Sequence, residues 1–214
     1  GQAHLPEAGR MTLLKICGLR ALRDLEACRG ADYLGFVVRS DSPRCLPLER
    51  AAELMSVCDG VRVAVTTETR MEALRVIIRT LEPDVLQLHS PLDPGLLKEA
   101  SELGVPVWGM LTVRPGVKID PCAAERLEAL VLDSPGPRAG GNGRAHDWSL
   151  SRKLREELTP LPVVLAGGIG PQNAREAVET VSPYALDVSS GVESAGGKDP
   201  LMVSELIRAL KGEN

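Results

Sequence analysis

Aromatic side chains are scarce in this chain: two tryptophans, two tyrosines and one phenylalanine among 214 residues. A core of normal size must therefore be built from Leu, Val, Ala and Ile. Positive charge is not in excess either. The net charge is −4 and no basic tract interleaves with aromatics, which argues against a nucleic-acid partner. No apolar stretch approaches the roughly 18 residues of a membrane span, and residues 1–10 lack the positive start and apolar run of a signal peptide. Met11 reads as the natural start, with 1–10 a disordered leader or a remnant.

Cysteine pairs are also missing. Cys17, Cys28, Cys45, Cys58 and Cys122 are odd in number and never spaced C-x-x-C, against both a disulfide framework and a structural zinc site. A reducing cytoplasm is the simplest home for such a chain. His4, His89 and His146 form no metal-ligand spacing with the cysteines or carboxylates, so no metal is expected. No G-x-G-x-x-G follows the first apolar run, which weakens a dinucleotide-binding fold.

What is present is a repeat of short apolar runs alternating with helical periodicity. The runs are 12–16, 32–38, 61–65, 84–88, 105–111, 129–133, 162–166 and 184–188. Amphipathic stretches such as LERAAELMSVC (48–58), TRMEALRVIIRTL (69–81), PGLLKEASELG (94–104) and PQNAREAVETV (171–181) lie between them. Strands apolar on both faces and separated by helices imply parallel pairing. Eight units from residue 11 to 214 predict one α/β domain, a closed (β/α)8 barrel, with a doubly wound open sheet as the competitor.

In such barrels the working end is formed by the C-terminal strand ends and the loops after them. Cys17-Gly18 closes the first run, Arg44 follows the second, and Gln87-Leu88-His89 closes the fourth. Asp133-Ser134 closes the sixth, Gly167-Gly168 the seventh, and Asp187 with Ser189-Ser190-Gly191 the eighth. Glycine-rich turns after the seventh and eighth strands suit a phosphate, held by backbone N–H groups. The plainer reading is that these glycines only permit tight turns.

A lone cysteine is usually a small buried hydrophobe, and Cys28, Cys58 and Cys122 fit that reading. Cys17 differs: it faces the mouth, with Gly18 leaving space above it. Asp133 ends an apolar run with no helix close enough to cap. Ring order sets the phosphate loops between Asp133 and Cys17, with Arg44 beyond. That layout suits a ligand with a phosphate at one end and a carboxylate for Arg44 at the other.

These same residues carry a family likeness. KICG (15–18), SPR (42–44), QLH (87–89), LDS (132–134), GNG (141–143) with DWSL (147–150), LAGGI (165–169) and PYALDVSSGVES (183–194) with GGKDP (196–200) resemble the phosphoribosylanthranilate isomerase family. The resemblance implies a cofactor-independent Amadori rearrangement of tryptophan biosynthesis, on a small phosphosugar substrate, by a monomer or homodimer. It further implies Cys17 as general base and Asp133 as general acid, with Arg44, His89 and Asp187 at the substrate. Gly167, Gly168, Ser189, Ser190 and Gly191 would hold the phosphate.

Alternatives are a related isomerase that also takes the histidine-pathway substrate, and a non-catalytic sugar-phosphate barrel. The former uses two Asp residues, and Cys17 counts against it. A free thiol titrates near about 8.5, so a base at neutral pH calls for a cation beside it. Lys15, two residues back on the same strand face, is the nearest candidate, with Arg44 and the N–H groups around Gly18 as others.

Overall fold

The computed structural model describes residues 11–134 and 147–211. The leader, His4, the Gly141–Gly143 stretch and His146 lie outside the described residues. Eight strands alternate with helices along the chain: β1 Leu13–Cys17, β2 Tyr33–Val37, β3 Val61–Thr66, β4 Val85–Leu88, β5 Val107–Thr112, β6 Ala129–Asp133, β7 Val163–Ala166 and β8 Ala185–Val188. Each pairs in parallel with the next, and β1 pairs with β8 to close the barrel. The open-sheet alternative is excluded by that seam, where Lys15 stands opposite Asp187.

Two apolar layers follow from strand alternation. Val37, Val63, Val65, Val85, Trp108, Ala129, Val131, Val164, Ala166 and Ala185 fill the barrel interior. The intervening residues, among them Ile16, Phe36, Leu86, Leu130, Leu132, Leu165 and Leu186, pack outward under the helices. With so few aromatics, Val and Ala fill the inner layer around Trp108 and Leu dominates the outer one. Burying each Val or Leu is worth about 1.5–3 kcal/mol. The single phenylalanine, Phe36, is wholly buried.

The helices are α1 Leu22–Ala27, α2 Leu48–Met55, α3 Met71–Leu81, α4 Pro94–Ser101, α5 Pro121–Ala124, α6 Trp148–Leu158, α7 Ala174–Val181 and α8 Pro200–Lys211. In α3, Ala73, Leu74, Ile77 and Leu81 form the buried stripe. Asp93, Asp120 and Asp147 cap their helices by accepting the N–H of Leu96, Cys122 and Ser149, which satisfies donors a helix start leaves orphaned. The predicted helix over 48–58 ends at Met55, and α5 is a single turn. Around α5 only Ala123 and Leu127 are buried, too little apolar surface to hold a longer helix against the sheet. Cys122 lies exposed there rather than packed inside.

Two features have no counterpart in the sequence reading. After β8 comes a short 3-10 turn, Ser190–Val192, and then a small hairpin, β9 Glu193–Ser194 with β10 Gly197–Lys198. Strands of two residues fall below the length at which alternation is readable. Among the described residues, no helix is long and apolar enough to cross a membrane.

Candidate active site at the barrel mouth

The inward positions of the strands turn polar toward their C-terminal ends. On β1 the sequence Leu13, Lys15, Cys17 faces inward. On β6 it is Ala129, Val131, Asp133, and on β8 Ala185 then Asp187. Cys17, Asp133 and Asp187 therefore share one end of the inner face of the barrel. Lys15 is fully buried, and its Nζ donates to Asp187 Oδ2 at 2.7 Å. Burial works against the Lys15 charge, but Asp187 and Cys17 together hold its pKa above the ordinary value.

The thiol sits flat against β2. A Cβ at Gly35 would lie 2.9 Å from Cys17 Sγ and 3.0 Å from Cys17 Cα, so the absence of a side chain at 35 makes the seat for the sulfur. Burial pushes the thiol up. Lys15 pulls it back, Asp187 opposes Lys15, and Lys198 helps it; burial prevails. The expected depressed thiol is therefore not what the resting site holds. Lys15 is the largest thiolate-favouring charge, but Asp187 occupies it.

The sequence reading left open space above Gly18. That space is filled. Gly18 has φ +84, and a side chain there would collide with Cδ of Arg44, whose stem runs across it. Arg44 in turn donates from Nε to Glu193 Oε1 at 2.8 Å and from Nη2 to Glu193 Oε2 at 2.6 Å. Lys198 Nζ donates to the same Oε1 at 2.7 Å, and to the Ser189 carbonyl at 3.1 Å. Ser189 Oγ donates to the Cys17 carbonyl at 2.9 Å. Burial alone would raise the Glu193 pKa, but its two cations bring it down to about 2.

Asp133 is 9% exposed. Burial drives its carboxyl above the usual carboxylate range, against the Ser134 N–H that donates to Oδ1 at 2.8 Å. His89 Nε2 lies 4.0 Å from Asp133 Oδ2, too far for a direct hydrogen bond. Burial holds the imidazole below its ordinary pKa, with Asp133 pulling the other way. Burial thus disfavours the charged form of both groups, and each charge partly offsets that for the other.

On the far side, Gly167 and Gly168 adopt φ +88 and +68, where glycine is favoured. A side chain at Gly167 would strike Ser134, and one at Gly191 would strike the Ile169 carbonyl. Packing alone thus accounts for Gly167 and Gly191, and draws the β7 and β8 loops together. Asn173 ties the first of these loops, accepting from the Gly170 N–H and donating to the Gly168 carbonyl, each at 2.9 Å. Among the described residues, the amides of Gly168, Ser190 and Gly191 donate to no backbone carbonyl outside the helices and ladders. The Ser189 hydroxyl, by contrast, is turned to the Cys17 backbone.

Glu193, Lys198 and Gly35 were missed by reasoning from residue type. Glu193 and Lys198 stand within the PYALDVSSGVES–GGKDP stretch that carried the family likeness, which is the one signal that marked them. Among the described residues, no cluster of three or more His, Cys, Asp or Glu side chains could hold a metal ion.

Comparison with known proteins gives the family and the fold. Residues 14–209 match the family described as N-(5'phosphoribosyl)anthranilate (PRA) isomerase. A relative of that name from Methanopyrus kandleri is 40% identical over 219 residues, covering 94% of this chain and 99% of its own. The solved phosphoribosyl anthranilate isomerase of Thermus thermophilus superposes with a TM-score of 0.83 at 30% identity, covering 95% of this chain and 100% of its own. Another solved structure, of a phosphoribosyl anthranilate isomerase in complex with reduced 1-(o-carboxyphenylamino)-1-deoxyribulose 5-phosphate, gives 0.77 at 29% identity over 94% of this chain and all of its own.

Proposed function

The chain belongs to the N-(5'-phosphoribosyl)anthranilate isomerase family, an isomerase of tryptophan biosynthesis, and on that footing we propose that Cys17 and Asp133 are the base and acid of its Amadori rearrangement. Asp133 gives a proton to the ribose ring oxygen, the C–O bond of the ring opens, and a protonated imine forms at the neighbouring carbon. Cys17, reacting as its thiolate, then removes the C2 proton made acidic by the adjacent protonated imine, leaving an enolamine that tautomerises to the aminoketose. The step leaves Asp133 ionised and Cys17 protonated, and one proton passing from thiol to carboxylate restores both groups, so the reaction is balanced with no net proton or electron change.

The observation that carries this reading is the shared inward face. Cys17 and Asp133 stand at the same barrel end, on strands separated by the two whose loops are drawn together at Gly191 and Ile169. A buried carboxyl with a raised pKa suits a proton donor. The loops at Gly167-Gly168 and Ser189-Ser190-Gly191 take the phosphate through backbone amides, Gly168, Ser190 and Gly191 first among them. Arg44 receives the anthranilate carboxylate, while His89 and Asp187 line the sugar. Five free cysteines without a disulfide favour a reducing cytoplasm.

Loss of fluorescence of N-(5-phosphoribosyl)anthranilate measures turnover. Cys17→Ala and Asp133→Asn should each lose at least about 10²–10³-fold in kcat, with binding of the reduced aminoketose phosphate retained. Turnover within about tenfold of wild type in either variant would remove that residue from its role.

A further inference from the structure

We infer that Glu193 is a positioning residue for substrate selection: it fixes the Arg44 guanidinium by its Nε–Nη2 edge so that the other edge meets the substrate carboxylate. The inference rests on the preceding reading of Arg44 and adds what sets its geometry. A guanidinium has five donors in a planar fork and two edges that fit a carboxylate. One edge is occupied: Nε and Nη2 reach both Glu193 oxygens at 2.8 and 2.6 Å. Among the described residues Nη1 and the second Nη2 hydrogen meet no acceptor, which leaves them for a second carboxylate in the same plane.

Glu193 is itself held from elsewhere. Its Oε1 also receives Lys198 Nζ at 2.7 Å. The Lys198 backbone N–H donates to the buried Asp24 carboxylate at 3.1 Å. That same carboxylate caps α1 through the N–H groups of Arg20 and Ala21. The hairpin carrying Glu193 is thus pinned to the start of α1, and Arg44 takes its place over Gly18 against a fixed anion rather than a mobile one. Two cations share one anion, so the trio keeps one positive charge, the complement of a monocarboxylate. Had Glu193 instead competed with the substrate for Arg44, its removal would tighten binding. The two roles predict opposite signs.

The test compares wild type, Glu193→Gln and Glu193→Asp, each checked for folding by circular dichroism. Steady-state kinetics use N-(5-phosphoribosyl)anthranilate and the N-(5-phosphoribosyl)aniline analogue that lacks the carboxylate. Calorimetry follows binding of the reduced aminoketose phosphate with and without its ring carboxylate. Glu193→Gln should raise KM for the anthranilate substrate about tenfold to a hundredfold with kcat held within about twofold. The aniline analogue should be unaffected, so the wild-type preference collapses, and Glu193→Asp should fall between. Should Glu193→Gln not fold, Glu193→Asp carries the comparison in the same direction. An equal KM rise for both substrates, a lower KM, or a loss confined to kcat would overturn the inference. If wild type fails to turn over, the isomerase assignment of the site falls. Calorimetry then decides the role of Glu193 alone, by whether the carboxylate preference in binding persists in Glu193→Gln.

Discussion

Lys15 and Asp187 face each other at 2.7 Å across the seam where β1 closes on β8, and both the Cys17 thiol and the Asp133 carboxyl feel that pair. For the thiol, Lys15 favours ionisation and Asp187 opposes it. For Asp133, Asp187 favours the protonated form and Lys15 opposes it. Each end of this buried ion pair therefore acts in the same sense on both groups: Lys15 favours, and Asp187 opposes, ionisation of the thiol and of the carboxyl alike.

Replacing Lys15 by Met removes the largest thiolate-favouring charge and leaves Asp187 facing Cys17 without a counterion. The thiol should titrate higher than in wild type. Alkylation of Cys17 by iodoacetamide, followed by peptide mass mapping across pH, should slow at neutral pH and recover only in alkali. Breaking a buried pair by removing one partner costs about 3–5 kcal/mol. The double variant Lys15→Met, Asp187→Leu should regain much of that stability without regaining activity. An unshifted alkylation profile in Lys15→Met would break the electrostatic link between the pair and the thiol.

Gly35→Ala tests the seat of the sulfur. The added methyl meets Cys17 Sγ at 2.9 Å and Cys17 Cα at 3.0 Å, so the thiol must shift. A misplacement of about 1 Å in a reacting group costs about 10²-fold in rate, and overpacking costs about 1–3 kcal/mol. Expected are a large fall in kcat and near-normal affinity for the reduced aminoketose phosphate. Wild-type kcat in a folded Gly35→Ala chain would show that the thiol needs no such seat.

Asp133→Asn should stabilise the fold in a pH-dependent way. The folded pKa of Asp133 is raised by burial above its unfolded value of about 3.9. Its contribution is therefore complete below about pH 3.9 and declines as pH rises through the folded value. Asn keeps the acceptor for the Ser134 N–H and does not titrate. Urea unfolding should find little difference between the two chains near pH 3 and a growing advantage for Asn toward pH 8. A constant difference across that range would contradict the raised carboxyl pKa.

The eight barrel strands were legible because runs such as VVLA and ALVLD are apolar on both faces, a pattern that fits a layer between a filled interior and a ring of helices. Cys17, Asp133 and Asp187 could be assigned to one end by strand position alone. Alternation also put Lys15 on the thiol's face. It said nothing of Asp187 as the partner, because that contact spans 172 positions and exists only once the seam closes.

Arg44 stood out in the sequence as a loop residue after the second strand, but its surroundings did not. Arg44 reaches Glu193 across 149 positions, in a hairpin too short to show a period. Gly18 read as open space because a missing Cβ looks the same whether the void is empty or filled by another side chain. Gly35 drew no notice, since its importance depends on a sulfur atom from the neighbouring strand. Helix ends were the weakest point: 48–58 ran on past Met55 because Val57 and Cys58 extended the apolar rhythm into a turn.

Two of the charges that act on Cys17, Asp187 and Lys198, and the Ser189 hydroxyl that holds its carbonyl come from the final thirty residues. During synthesis the thiol and Lys15 emerge first, Asp133 follows on β6, and Asp187 and Lys198 come last. A chain that stops short of the eighth strand has no partner for the Lys15 ammonium and no β8 loop beside Cys17. It has both reacting groups and still lacks the seam that holds them in one ring.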